Sequence, residues 1–239
     1  APRLGVPGEV LRSRLAGLAD RRLVDTLIGA TGDAEFGREA IFTLGRIGGE
    51  QAVEALLPLA GGESPSDAAI QALGAARAAR AVETLRSIVA SQAGDYLRGE
   101  AVRALGEIGD PAAAAEVVAF LQTTQRDVRA AADALGRMGN PAAVEPLLAR
   151  MEGKDLDARD RAAVAEALGR LGDKRAFEAL LAAAEGKLAA PDDSPRRARV
   201  LRAVAAEALG RLGDERAIEP LTRLLADPEA PPEVRLGAA

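Results

Sequence analysis

The most regular polar feature of the chain is an acidic side chain that recurs at one position of a repeating pattern. We call this set the acidic ladder, and its members are Asp25, Glu54, Glu83, Glu145, Glu178 and Glu219. A row of carboxylates could recognise a basic partner protein or bind cations. Two of them could also form a magnesium site or the acid and base pair of a glycosidase. No two members stand out from the rest, so we do not expect catalysis by these acids.

Several ladder acids follow an arginine by three residues. These arginines are Arg22, Arg80, Arg175 and Arg216. Charges at this spacing are neighbours on a helix, where each pair contributes about 0.2–0.5 kcal/mol. The pattern therefore has two interpretations: a binding surface for a basic partner, or an array of ion pairs within the chain that largely neutralises itself.

A basic cluster follows a proline-rich segment near the end of the chain. Within Gly186–Arg199, Pro191 and Pro195 break helical structure and Ser194 can cap the helix that follows. The arginines of the cluster are Arg196, Arg197, Arg199 and Arg202. Inserted loops of repeat proteins often lie on a binding face, so the cluster could contact an acidic partner or a phosphate. The alternative is a longer loop followed by a solvated helix start.

The composition excludes several kinds of chemistry. The 239 residues include no Cys and no His, which excludes thiolate nucleophiles, imidazole bases, and zinc or haem sites that use these ligands. We expect no metal and no cofactor. A net charge of −5, with 2% aromatic residues and no Trp, disfavours nucleic-acid binding. No apolar run approaches the roughly 20 residues of a membrane span, so membrane insertion is not expected.

The elements that position these residues form an internal repeat. A Leu, followed by Gly in all but the first copy, anchors each copy, and the anchors are Leu15, Leu44, Leu73, Leu105, Leu135, Leu168 and Leu209. An apolar residue stands twelve positions after every anchor. Seven registered copies predict a repeat fold along the whole chain.

Each copy is predicted to contain two helices. An Ala-rich amphipathic stretch such as Val128–Met138 or Ala162–Leu171 forms the first helix, and a glycine ends it. An Asp or Asn, in two copies followed by Pro, then begins the second helix. The nonapeptide AEALGRLGD, present at Ala165–Asp173 and Ala206–Asp214, is thus structural. Its first Gly is expected to let the paired helix approach closely, and its second to end the helix.

These motifs resemble the HEAT-like repeats of the phycobilisome-lyase type. The resemblance is fullest at Ala104–Pro111 and Ala208–Leu221 and extends over essentially the whole chain. It implies an all-α fold, a right-handed α-solenoid of about seven two-helix repeats, whose second helices line a concave face. Two copies depart from the pattern, at Leu15–Asp20 and at Leu73–Arg80, which lacks the second Gly.

The expected function is a non-catalytic protein-interaction or scaffold module of bacterial type, which binds a partner with a basic surface on its concave face. The resemblance suggests an alternative, a bilin-lyase-like subunit that acts on a tetrapyrrole and a phycobiliprotein. A less favoured alternative is nucleic-acid binding through the cluster that begins at Arg196.

The organisation expected from the sequence is a single solenoid over residues 1–239. The end of the chain, Pro231–Ala239, reads as a helix broken off in its second turn, which indicates a fragment of a longer protein. Self-association through the terminal repeats is plausible. A cytoplasmic location is expected, and a Cys-free chain leaves the periplasm open.

Overall fold

Every regular element of the described chain is a helix, as the repeat pattern predicts. The computed structural model describes residues 21–189 and 193–239. Anchor Leu15, together with the departure at Leu15–Asp20, lies outside them. The α-helices are α1 (Arg21–Ala30), α2 (Gly37–Ile47), α3 (Glu50–Gly61), α4 (Asp67–Ala75), α5 (Val82–Ala90), α6 (Asp95–Ile108), α7 (Ala114–Thr123), α8 (Val128–Met138), α9 (Val144–Glu152), α10 (Ala158–Leu171), α11 (Phe177–Ala184), α12 (Pro195–Arg211), α13 (Ile218–Ala226) and α14 (Pro232–Gly237).

The helices alternate between two kinds. First helices carry the anchor leucines and are the even-numbered helices from α2 to α12. Second helices follow them and are the odd-numbered helices. Helix α14 carries Leu236–Gly237, one more copy of the anchor pair, which the sequence analysis did not count. The chain forms two compact units, one up to Asp110 and one from Pro111 onward. The single solenoid over residues 1–239 stays a prediction.

In the unit that ends at Asp110, first helices pack against first helices. First helices α2, α4 and α6 pack in succession, and second helix α3 packs against both α2 and α4. Second helix α1 packs against α2, and α5 packs against α6. The anchors Leu44, Leu73 and Leu105 have no exposed surface, and neither do Leu56 and Leu85 on the second helices. The apolar stripes of both helix kinds therefore meet in one core.

The unit that begins at Pro111 repeats this arrangement. First helices α8, α10, α12 and α14 pack in succession, with second helices α9 and α11 packed on α10 and α12. The anchors Leu135, Leu168 and Leu209 are fully buried, as are Leu147 and Leu180 at the twelfth position after an anchor. Helix α8 has the predicted bounds, and α10 begins at Ala158, about one turn before its predicted start.

The turn inside each copy explains the glycine and the acid that follow the first helix. Gly139 and Gly172 end α8 and α10 in the left-handed conformation, as predicted. In the copy without this glycine, Arg77 takes a positive φ of 48° instead. The side chains of Asp173 and Asp214 accept hydrogen bonds from backbone N–H groups two residues later, so they cap a short 3₁₀ turn that precedes the second helix, not the second helix itself.

The glycine of the Leu–Gly pair has a different role from the predicted one. It faces the first helix of the next copy, and not the paired second helix. A Cβ built on Gly169 would lie 2.7 Å from the Cβ of Ala208 and 2.9 Å from its Cα. The same contact joins Gly136 to Ala167. The corresponding contacts in the other unit join Gly45 to Ala72 and Gly74 to Ala104. Gly210 is the exception, since a Cβ there meets nothing within 4 Å.

These contacts predict opposite effects of one substitution at two equivalent glycines. Gly169→Ala forces α10 and α12 apart, and we expect it to lower the free energy of unfolding by about 1–2 kcal/mol, despite the higher helix propensity of Ala. Gly210→Ala adds a methyl group in open space and should raise the free energy of unfolding by about 0.5–1 kcal/mol. Urea denaturation measures both, and the same sign for both variants would contradict the close-packing role.

Candidate functional site

The acidic ladder lies where the second helices begin. Glu83, Glu145, Glu178 and Glu219 are each the second residue of their helix, and Asp25 and Glu54 lie one turn into theirs. The five glutamate side chains remain 55–86% exposed. Within each unit, the ladder therefore forms an accessible charged surface along the starts of the second helices.

The ladder acids are bonded between copies, which differs from the predicted pairing inside one helix. Glu145 lies 2.8 Å from Nη1 of Arg175, and Glu178 lies 3.5 Å from Nη1 of Arg216. The predicted pairs Arg175–Glu178 and Arg216–Glu219 are thus wrong, because each arginine reaches back to the acid of the preceding copy. We call an acid and the side chain from the next copy that bonds it a rung.

The other unit contains the same kind of rung. Arg80 bonds Glu54 at 3.0 Å, so its predicted pairing with Glu83 is also wrong. Gln51 donates to Asp25 at 2.5 Å and takes the place of an arginine. The predicted pair Arg22–Asp25 involves the side chain of Arg22, which lies outside the described side chains.

Two ladder acids without a partner from the next copy bond an arginine of their own helix. Glu83 bonds Arg86 at 2.7 Å, and Glu219 bonds Arg223 at 3.1 Å. The copy that follows the one with Glu83 has Ala112 at the arginine position of the sequence pattern. One copy lacks the acid (Ala115), and the next copy lacks the arginine (Ala142). The acid and the arginine are therefore missing together from two successive copies. This was a signal in the sequence that an acid and the arginine that bonds it come from neighbouring copies.

The rung arginines of the 3₁₀ turns before α11 and α13 are held in place by the caps that precede them. Asp173 accepts hydrogen bonds from Nε and Nη2 of Arg175, which leaves Nη1 to reach Glu145. Asp214 holds Arg216 in the same way. The guanidinium groups lower the pKa of both aspartates to about 2 from an ordinary value of 3.8. The lowered pKa means that this contribution to stability is fully present above pH 3.8 and is lost as the pH falls through about 2.

The four arginines of the predicted basic cluster separate into different environments. Arg202 is half-buried, and its Nε donates to the carbonyl of Ala184 at the end of α11. Arg98 and Arg161, which also stand seven residues before an anchor, donate to carbonyls at the ends of α5 and α9. An arginine at this position therefore satisfies the carbonyl end of a second helix, a repeated signal that the sequence analysis missed.

The remaining arginines of the cluster lie at the start of α12. Arg196 and Arg197 join Arg159 of α10 in the lining of an open recess of about 370 Å³. Ser194, Ala162 and Val200 complete its lining. We call this site the arginine recess. Arg199 is exposed and is not part of the lining. Ser194 accepts from the N–H of Arg197, which confirms the predicted cap of α12.

A separate polar network covers the outer surface of the first helices. Arg38 of α2 forms a two-bond pair with Asp67 of α4, and the hydroxyl of Tyr96 in α6 donates to the same carboxylate at 3.1 Å. These bonds lower the pKa of Asp67 and raise the pKa of Tyr96. In the other unit, exposed pairs join Glu166 to Arg170 and Glu207 to Arg211.

The last helices expose apolar positions that are buried elsewhere. Ile218 and Leu225 of α13 are 64% and 47% exposed, and Leu236 of α14 is 78% exposed. The equivalents of Leu236 are the anchors, which have no exposed surface from Leu44 to Leu209. In the described part of the chain, no helix covers these exposed side chains of α13 and α14.

Neither a metal centre nor a membrane segment is found among the described residues. No group of three or more Asp and Glu side chains in residues 21–189 and 193–239 is placed to hold a metal ion. None of the helices described there is long and apolar enough to cross a membrane.

Comparison with known proteins places this geometry in a family. The family of HEAT repeats matches residues 64–132, 129–204 and 154–239, and the PBS lyase HEAT-like repeat matches residues 38–61. The chain belongs to the HEAT repeat family, and the predicted resemblance is confirmed. No curated protein matches the chain.

A solved structure shows the same fold class. The chain is similar to one in the structure of the complex of CpcE and CpcF of phycocyanin lyase from Nostoc sp. PCC7120, with 21% identity, a TM-score of 0.55, and coverage of 100% of this chain and 88% of that one. It is also similar to human deoxyhypusine hydroxylase in complex with glycerol, with 21% identity, a TM-score of 0.36, and coverage of 95% and 96%. The first likeness supports the all-α repeat fold.

The inter-copy pairing predicts a specific pattern of energetic coupling. In a double-mutant cycle, Arg175→Ala should couple favourably with Glu145→Ala and show no coupling with Glu178→Ala, because of these two glutamates Glu145 is the one that bonds Arg175. The coupling should weaken as salt is added, since both side chains are exposed. Urea denaturation of the four proteins in each cycle gives the coupling. A larger coupling with Glu178 would restore the pairing within one helix.

Proposed function

We propose that this chain is a non-catalytic protein-interaction module that holds a partner protein against the starts of its second helices. The observation that carries the proposal is the rung. A ladder acid such as Glu145 is bonded by an arginine of the next copy, and that arginine is held by an aspartate of its own copy. The charged surface is therefore ordered before a partner arrives, which reduces the entropy lost on binding.

The charge of this surface suits a basic partner. Each rung contributes a largely exposed acid, and the more buried caps Asp173 and Asp214 offset the charges of Arg175 and Arg216 from beneath. Acids thus outnumber arginines along the starts of the second helices in the unit that begins at Pro111. A partner with basic side chains at a matching spacing would meet acids that are already in place, and like-charged proteins would be repelled.

The same geometry favours recognition over catalysis. Reactions on a substrate need polar groups that converge in a pocket, whereas the ladder acids stand side by side on an accessible surface. A recess between α3 and α5 is lined by Leu57, Pro58 and Ile88, together with glycine, proline and hydroxyl residues. No ladder acid lines it.

A bilin-lyase-like role is the second candidate, and it rests on the match of residues 38–61 to the PBS lyase HEAT-like repeat and on the likeness to the phycocyanin lyase structure. A bound tetrapyrrole has a visible absorption band that shifts in a protein environment. Titration of a bilin with the protein, followed by absorbance, tests this candidate. We expect an unshifted spectrum, and a saturable shift would favour the lyase-like role instead.

Partner capture from a lysate of the source organism tests the interaction module. The wild-type chain is compared with Glu145→Lys/Glu178→Lys, which reverses two adjacent ladder acids. We expect the captured partner to be lost, or at least about tenfold depleted, because two attractive charges become repulsive.

A matched control separates the ladder from net charge. Glu166→Lys/Glu207→Lys makes the same change in charge on the outer surface of the first helices, where both acids pair with an arginine one turn away. This variant should retain the partner. Equal loss from both variants, or equal retention by both, would contradict binding by the ladder. Circular dichroism and thermal melting confirm that all proteins stay folded.

Self-association through the terminal repeats stays a prediction. The exposed apolar side chains of Ile218, Leu225 and Leu236 support it, because a second molecule could cover them. Nucleic-acid binding stays the least favoured alternative, since Arg199 and Arg202 do not line the recess that Arg196 and Arg197 share.

A further inference from the structure

The arginine recess is a basic site that the acidic ladder leaves unexplained. Three arginines line it, Arg159 of α10 and Arg196 and Arg197 of α12. Arg197 lies 3.3 Å from Asp157, so one of the three is balanced by an acid. The side chains of Arg159 and Arg196 form no hydrogen bond or ion pair with residues 21–189 and 193–239. An anion in the recess would therefore meet available donors without displacing an existing partner.

The sequence at the start of α12 is unfavourable for an isolated helix. Its first turn contains arginines and no acidic residue, although the positive end of the helix dipole favours acids there. The N–H of Arg197 is already bonded to Ser194, so an incoming anion would be held by side chains and not by this backbone group. A bound anion would offset the repulsion among the arginines.

We propose that the arginine recess binds a phosphate group on a phosphorylated side chain of a partner protein. A phosphate monoester carries a charge of about −1.5 to −2 and offers three acceptor oxygens. Three guanidinium forks match three oxygens better than they match the two of a carboxylate. The recess, about 370 Å³ in volume, accommodates one such group together with the side chain that carries it.

The surroundings of the recess favour a protein ligand over a nucleic acid. Asp157 and Asp160 lie close to Arg159 in the chain, and their charges would repel the further phosphates of a nucleic-acid backbone. The lining contains no aromatic side chain on which a base could stack. Val200, which is 47% exposed, instead offers apolar surface to the residues that flank a phosphorylated position. This proposal rests on the proposed function as a protein-interaction module.

A degenerate peptide library tests the proposal although the partner is not identified. The full 239-residue chain is immobilised and presented with three libraries that carry phosphoserine, serine or glutamate at a fixed central position between randomised residues. We expect retention of the phosphoserine library to exceed that of the other two by about tenfold or more, an energy difference of about 1.4 kcal/mol. Equal retention of the glutamate library would overturn the preference for phosphate.

Two variants locate the binding. Arg159→Ala/Arg196→Ala removes both unpaired guanidinium groups of the recess and should lower retention of the phosphoserine library about tenfold or more. Arg126→Ala/Arg199→Ala is the matched control, because it makes the same change in charge at exposed arginines outside the lining. Its retention should stay within about twofold of wild type. Equal losses from both variants would overturn the recess as the site.

The remaining outcomes distinguish this proposal from the proposed function. A single-stranded oligonucleotide that binds through the same two arginines more tightly than the phosphoserine library would overturn a protein ligand. Another outcome is that no phosphopeptide binds, while the partner is lost from Glu145→Lys/Glu178→Lys and retained by Arg159→Ala/Arg196→Ala. This result would support binding by the ladder and refute only the proposal for the recess.

Discussion

The close approach of successive first helices is the constraint on which the rest of each unit depends. The glycine after an anchor leucine touches an alanine of the next first helix, as Gly169 touches Ala208, and no larger side chain fits between them. Because interiors pack as densely as organic crystals, this contact leaves little freedom in the spacing between copies. The spacing in turn sets the distance from the start of one second helix to the 3₁₀ turn of the next copy. An arginine such as Arg175 spans that distance, so the charged surface depends on an uncharged contact.

The sequence predicted the repeat well because every copy carries the same apolar positions and most carry the same stop signals. It predicted the ion pairs poorly for a physical reason. Spacing along the chain identifies neighbours within one helix, whereas the direction of a long side chain depends on what holds its base. In Arg175 and Arg216, the preceding aspartate fixes the guanidinium group and directs it away from the acid three residues later. The one sign of the inter-copy pairing in the sequence is that the acid and its arginine are both replaced by alanine, at Ala115 and Ala142.

The basic cluster shows that proximity in the sequence also fails to identify the residues of a site. Arg196, Arg197, Arg199 and Arg202 are close in sequence, but on a helix they point in different directions. Arg202 turns towards the end of α11, and the recess gains Arg159 from a helix that sequence proximity could not connect with it. A surface formed by two packed helices is thus visible only after their packing is known. The cap at Ser194, which depends on local chemistry alone, was predictable.

The division of each rung between two copies also constrains how the chain could change in length over evolution. Glu145 and Glu178 meet equivalent arginines, so a chain that lost the copy between them would still present an acid to an arginine. Loss of part of a copy would instead leave a charge without its counterpart. Ala115 and Ala142 stand at an acid position and an arginine position, and neither is charged. Copies could therefore be exchanged at this point without breaking an ion pair of the ladder. The whole copy is therefore the unit in which this family member can grow or shrink while its charge pattern is retained.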